Sequence, residues 1–138
     1  MQRGRAKAYR PLPPEARRAA LRAGLAAYEQ GYFFLAHETL EPAWMGTDDP
    51  GERDLHQGLI KLAAAFVHGV RGNPTGIAKN LAGAREHLAA AIGSPAAAES
   101  GLDVAVLLAA VDERLARLAL DPSDASIEAP ALPRRHGP

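Results

Sequence analysis

The sequence predicts an all-α protein, a compact up-and-down bundle of about five helices, and three observations carry this prediction. The 138 residues include 30 Ala and 17 Leu but only 12 Val, Ile and Thr together, and unbranched side chains lose little rotamer freedom in a helix. Apolar residues recur at helical spacing in several separate segments. Short connections separate these segments, and short connections place consecutive helices antiparallel.

The helices are delimited by residues that start and stop helical structure. Pro14 suits the first position of a helix, where its missing N–H is harmless, and Gly31 ends that helix. The clearest loop is Gly46 to Gly51, and Gly-Asn-Pro and Gly-Ser-Pro breaks follow further along the chain. The predicted helices therefore cover about residues 14–30, 32–45, 51–71, 74–92 and 102–119.

The N-terminal segment is predicted to be a flexible basic arm, residues 1–13, because it is polar and interrupted by Pro11 and Pro13. Residues 1–22 hold seven Arg or Lys against Glu15 alone, so the rest of the chain carries a net charge of −6. A basic arm offers non-specific contacts to the phosphates of nucleic acids. Weak nucleic-acid binding is therefore kept as a second alternative function.

The C-terminal segment, residues 121–138, contains four prolines and little apolar content. We therefore expect a disordered tail there. The two ends leave a single helical-bundle domain at residues 14–120, which is long enough to bury one core.

Composition excludes several classes of protein. The absence of Cys rules out a disulfide scaffold, a thiolate zinc site and a cysteine nucleophile. No apolar run approaches the roughly 20 residues of a membrane-spanning helix. Because the N-terminus lacks the pattern of a secretory signal, we expect a cytoplasmic protein that does not contact the membrane.

The second predicted helix carries the first polar group of interest. On a helical wheel His37 and Glu41 are neighbours at the edge of the apolar face, while Glu38 lies further round. An imidazole and a carboxylate at this spacing can chelate a divalent metal, or pair so that the carboxylate raises the pKa of the histidine. The alternative is a buried histidine capped by a glutamate. His-Glu-x-x-Glu lacks the second histidine of a zinc protease, and Pro42 disturbs the helix, so that class is excluded.

The third predicted helix carries a stripe formed by Gln57, Lys61 and His68 on an otherwise apolar helix. One interpretation is a solvated surface. The other is a cleft facing the polar residues of the second helix, in which neighbouring charges shift each other's pKa values. Trp44 is expected to anchor the core or an interface. Exposed or structural roles are expected for the remaining histidines, His56, His87 and His136.

Three segments together resemble a known family. They are GYFFLAHETLE at 31–41 with Trp44, QGLIKLAAA at 57–65 with His68, and Gly72-Asn73 with Gly76. In this order they resemble the small helical proteins grouped as domain of unknown function family 309, over about residues 21–92. The resemblance implies a compact helical bundle of prokaryotic origin and no established activity. It also implies a shared set of polar residues, matched here by His37, Glu38, Glu41, Gln57 and His68, with an aromatic matched by Trp44.

These observations lead to one main functional hypothesis. It is a polar pocket between the second and third helices that binds a small ligand or a divalent metal. If the pocket is catalytic, His68 or His37 is the candidate base, oriented by Glu38 or Glu41. The candidate pocket residues are His37, Glu38, Glu41, Trp44, Gln57, Lys61 and His68, of which His37, Glu41 and His68 are the candidate metal ligands.

The alternative is a non-enzymatic interaction module whose polar residues only specify packing. Aromatic side chains would then anchor a homo-oligomer or another partner. An exposed apolar patch containing Tyr32, Phe34 and Trp44 would favour this alternative.

Overall fold

A computed structural model describes residues 9–135, which form six helices and no strand. The all-helical prediction is confirmed, and the predicted number of about five is corrected to six. The additional helix is short and is capped by Ser94, whose hydroxyl accepts a hydrogen bond from the N–H of Ala97. The helices are α1 Pro14–Glu29, α2 Phe33–Met45, α3 Pro50–Val70, α4 Pro74–Ala91, α5 Pro95–Ser100 and α6 Val104–Leu120.

Local sequence explains where these helices begin. Proline occupies the first position of α1, α3, α4 and α5, where its fixed φ suits a helix. The side chains of Asp49, Asn73 and Asp103 cap α3, α4 and α6 by accepting a backbone N–H from the first turn. None of the helices in residues 9–135 is long and apolar enough to cross a membrane.

The core is built around α3, which packs against α2, α4 and α5. Leu55, Leu59, Leu62 and Phe66 of this helix are all buried. Helix α1 packs on α2, and α6 packs on α4. A central position for α3 agrees with the apolar residues that cover much of this helix outside the stripe of Gln57, Lys61 and His68.

The C-terminal segment packs on the helices, so the expectation of a loose tail is wrong for residues 121–135. Ile127, Pro130 and Leu132 are buried, and the hydroxyl of Tyr28 donates a 2.7 Å hydrogen bond to the carbonyl of Pro130. An isolated antiparallel bridge pairs Leu102 with Arg134. The segment has few apolar residues, but three of them reach the core. Its average composition does not reveal this, because the average ignores where those residues lie.

The N-terminal end of the described chain is also attached to the bundle. Arg10 and Leu12 donate backbone hydrogen bonds to the carbonyls of Met45 and Gly46, at 2.8 and 3.0 Å. Residues 9–13 of the predicted basic arm therefore lie along the end of α2. The rest of the predicted arm, residues 1–8, and the end of the predicted tail, residues 136–138 with His136, lie outside the described residues.

Candidate functional site

The polar residues of α2 lie near the protein surface. His37 stacks on Phe34, with the rings 6.2 Å apart and 8° from parallel. Its Nδ1 lies 3.3 Å from Oε2 of Glu38, so the neighbour of His37 is Glu38 and the predicted pairing with Glu41 is not formed. Glu41 is half-buried and makes no hydrogen bond or ion pair to any residue of 9–135.

The polar stripe of α3 borders α4. The aliphatic chain of Lys61 packs beside Gly83, where an added Cβ would meet Lys61 Cδ at 3.4 Å. Nδ1 of His68 lies 3.2 Å from Nδ2 of Asn73 at the start of α4. Gln57 is half-buried. Lys61 and His68 therefore contact α4, whereas the cleft hypothesis required them to face α2.

The seven predicted pocket residues are not joined into one polar cluster. Within residues 9–135, no hydrogen bond or ion pair connects His37, Glu38 or Glu41 with the stripe of α3. In the same part of the chain, no three His, Asp or Glu side chains are grouped closely enough to hold a metal ion. The three predicted metal ligands are therefore not assembled, because α3 presents His68 to α4.

Trp44 contacts the bundle itself. The guanidinium of Arg53 lies 4.7 Å from the centre of the Trp44 ring, within the range of a cation–π interaction. Arg53 also donates hydrogen bonds to the carbonyls of Trp44 and Thr47, at 3.3 and 3.0 Å. The tryptophan therefore joins α2 to α3, in agreement with its predicted role as an anchor.

A polar cluster that was not predicted joins α1, α3 and the loop between α2 and α3. Arg17 Nε lies 2.6 Å from Glu52 Oε2, and its Nη2 lies 3.3 Å from Oε1. The hydroxyl of the buried Thr47 donates to the same Oε1 at 3.0 Å. Helical periodicity contains no signal for this cluster, because its members come from three elements.

His56 lies beside this cluster and is 2% exposed. Its Nδ1 is buried without a hydrogen-bond partner. Burial lowers the pKa of His56 from 6.5 to about 4; the Glu52 carboxylate opposes this shift and the Arg17 guanidinium adds to it. The imidazole is therefore neutral at neutral pH. The sequence predicts an exposed or a structural role for His56, and its burial leaves the structural one.

His87 also contacts a carboxylate. Its Nδ1 lies 2.9 Å from Oδ1 of Asp54, so this pair joins α4 to α3. Both side chains are about one-third exposed. The contact is interhelical, which agrees with a structural role for His87.

Two adjacent clefts lie along α1. The first has a volume of 330 Å³ and is bordered by α1, the start of α3 and α5. The second has a volume of 490 Å³ and continues along α1 to Arg134. Both are lined by Arg18, Leu21, Glu99 and Ser100, so we treat them as one feature, the α1–α5 groove.

A different surface, which we call the apolar groove, lies where the start of α2 meets the end of α3. Its volume is 610 Å³. Phe34 is 63% exposed and Val70 is 78% exposed. Arg71 is the only charged lining residue, and the others are Gly31, Tyr32, Phe33, Phe34, Leu35, Val67 and Val70. Of the three aromatic residues whose exposure would favour an interaction module, Tyr32 and Phe34 line this groove and Trp44 does not.

The fold and these surfaces define a small helical-bundle protein, and the described residues include the α1–α5 groove and the apolar groove. Residues 21–80 match the family model described as Domain of unknown function (DUF309). The match confirms the predicted resemblance, which rested on motifs in α2, in α3 and at the turn into α4. Neither a curated protein nor a solved structure matches the chain.

Proposed function

We propose that this protein is a helical interaction module that associates with a second copy of itself through the apolar groove. The observation that carries the proposal is the exposure of Tyr32, Phe34, Leu35 and Val70 on one continuous surface. Large apolar side chains that are exposed next to one another mark interaction surfaces in folded proteins. Tyr and Phe are also enriched at the buried centres of such interfaces.

The chemistry of the groove suits a second copy. In a two-fold arrangement the same surface faces itself, so the exposed apolar side chains at the edge of the groove in one copy would meet apolar side chains of the other. The four exposed side chains would be buried twice, once in each copy. Fully burying a large apolar side chain contributes about 1.5–3 kcal/mol. These side chains are already partly buried, so each contributes less than that, and the sum must exceed the entropy cost of association.

The charged rim of the groove also fits this arrangement. Arg71 is exposed and makes no ion pair within residues 9–135. Glu38 follows Phe34 by one helical turn and is therefore on the same face of α2. A two-fold axis through the groove allows Arg71 to pair with Glu38 of the partner subunit. Opposite charges at an interface rim contribute mainly to the orientation and specificity of association.

The molar mass in solution tests this proposal. Sedimentation velocity and light scattering should give a dimer for the wild type and a monomer for Phe34→Asp. A matched control is Val106→Asp on α6, since Val106 is 52% exposed and lies outside the groove; this variant should stay dimeric. Circular dichroism verifies that both variants are folded. A wild type that is monomeric at high protein concentration, or a dimeric Phe34→Asp, would overturn the proposal.

The charge pair at the rim provides a second test. Arg71→Glu should weaken the dimer because two like charges then face each other. Combining it with Glu38→Arg should restore association. If the double variant is as weakly associated as the single variant, the two-fold pairing is wrong even if the apolar surface is the interface.

A second candidate function is the binding of a small ligand or divalent metal by the polar residues of α2. One observation favours it, the 3.3 Å approach of His37 to Glu38 on accessible surface. Metal analysis and calorimetric titration of zinc, manganese and magnesium test it. Stoichiometric binding that is lost in His37→Ala supports this candidate, and no binding by the folded wild type excludes it for these metals.

A further inference from the structure

The α1–α5 groove places two opposite charges across an open space. Arg18 and Glu99 each line both of its clefts, and both residues are exposed. Within residues 9–135 they form no ion pair with each other or with any other side chain. Because the two charges face one space without touching, a molecule with an ammonium and a carboxylate group can pair with both.

We propose that the α1–α5 groove binds a small zwitterionic molecule with an apolar body, for which an apolar α-amino acid is the simplest example. Its carboxylate would pair with Arg18 and its ammonium with Glu99. Its apolar part would lie against Leu21 and Leu55, which line the first cleft. This site is separate from the apolar groove and does not depend on self-association.

Apart from Arg22, the other charged residues of the groove already have partners within residues 9–135. Arg17 is held by Glu52, and Arg134 lies 3.1 Å from the carboxylate of Glu29. Asp49 caps α3 by accepting the N–H of Glu52 at 2.9 Å. Arg22 lines only the second cleft. Arg18 and Glu99 are therefore the two residues of opposite charge that line both clefts and have no ion-pair partner within residues 9–135.

His56 also lines the first cleft. Its ring is almost entirely buried, and burial lowers its pKa to about 4. The imidazole is therefore uncharged at neutral pH and adds no third charge to the two that line both clefts.

The arrangement disfavours ligands that carry only one charge. A simple anion attracted by Arg18 would also meet the carboxylate of Glu99, and a simple cation attracted by Glu99 would meet the guanidinium of Arg18. A volume of 330 Å³ for the first cleft is enough for one small molecule. The apolar contribution of Leu21, Leu55 and Ala96 favours a ligand with a hydrophobic body over a polar one.

Titrations monitored by NMR test this proposal with L-phenylalanine as the probe. Two analogues separate the charges, since 3-phenylpropionate lacks the ammonium and 2-phenylethylamine lacks the carboxylate. L-Phenylalanine should bind in the millimolar range or tighter and shift the resonances of Leu21, Leu55 and the His56 ring. Each analogue should bind about tenfold more weakly, the effect of losing roughly 1.4 kcal/mol of interaction.

Variants then assign each charge. Arg18→Gln should weaken L-phenylalanine and 3-phenylpropionate but not 2-phenylethylamine, and Glu99→Gln should weaken L-phenylalanine and 2-phenylethylamine but not 3-phenylpropionate. Lys79→Gln and Glu86→Gln are matched controls on the exposed surface of α4 and should change none of the three. Absent binding, equal binding of the three compounds, or variants that behave like the controls would overturn the proposal.

Discussion

Arg17 and Glu52 form a two-point ion pair that ties the start of α1 to the start of α3. The shorter contact is 2.6 Å, and each side chain is 18% exposed. Glu52 also accepts a hydrogen bond from Thr47, and Arg17 donates one to the carbonyl of Leu12. This single pair therefore connects α1, α3, the loop before α3 and the segment before α1.

Removing the arginine should destabilise the protein. Arg17→Met leaves the partly buried Glu52 without its cation, and we expect a loss of about 2 kcal/mol in the free energy of unfolding, below the 3–5 kcal/mol of a fully buried pair. The control is Arg85→Met, since Arg85 lies equally close to Asp112 but both of those side chains are about half exposed. The control should lose less than about 1 kcal/mol. Urea unfolding measures both, and equal losses would contradict this view.

His56 should make the stability depend on pH. Its pKa is about 4 in the folded protein and 6.5 as a free side chain, so between these values the unfolded chain binds more protons. Stability therefore falls as the pH is lowered from 6.5 to 4, by roughly 3 kcal/mol in total. His56→Leu should remove this part of the pH dependence, which urea unfolding at a series of pH values would detect. Identical pH profiles for the two proteins would refute it.

Gly58 is required by the close approach of α3 to α4. A Cβ at this position would lie 2.8 Å from the side chain of Leu88 and 3.1 Å from its backbone nitrogen. Gly58→Ala should therefore destabilise the protein by about 1–3 kcal/mol despite the better helix propensity of alanine. Gly83→Ala is the control, since its nearest neighbour is the flexible Lys61 chain at 3.4 Å; it should stabilise by up to about 1 kcal/mol. Thermal unfolding distinguishes the two, and a stabilising Gly58→Ala would contradict the packing argument.

The attachment of the C-terminal segment can be measured at Tyr28. Tyr28→Phe removes the hydrogen bond to Pro130 and leaves that carbonyl without this donor, so we expect a loss of about 1–2 kcal/mol. Tyr9→Phe is the control because Tyr9 is exposed, lies outside the apolar groove, and its hydroxyl makes no hydrogen bond within residues 9–135. Chemical unfolding, together with amide exchange at residues 127–133, would show whether the segment is released. Equal stability of the two variants would argue against this attachment.

The helices were predictable because their signals are local. Apolar spacing defines α3 and α6 along their length. For α1, Pro14 marks the first residue of the helix, and Gly31 lies two residues after its last residue, Glu29. The short α5 was missed since six residues are too few to show a helical period. The C-terminal segment was misjudged because three buried side chains, Ile127, Pro130 and Leu132, do not alter its average composition.

The candidate site could be predicted only in part. A helical wheel gives the angle between two side chains of one helix, but not which neighbour covers that face. His37 and His56 illustrate this point, as the first was expected in a pocket and lies at the surface, while the second was set aside and is buried.

The sequence by itself determined the all-helical class and the positions of the long helices. Only the tertiary structure decided that Arg17 meets Glu52, that His68 faces α4, and that Arg18 and Glu99 share a groove. Arg17 and Glu52 are 35 residues apart in the chain, and Arg18 and Glu99 are 81 residues apart. His68 lies only five residues before Asn73, but its neighbour is set by the way α4 folds back on α3. All three placements depend on how whole helices pack, and that packing is a collective property of the core that no single segment encodes.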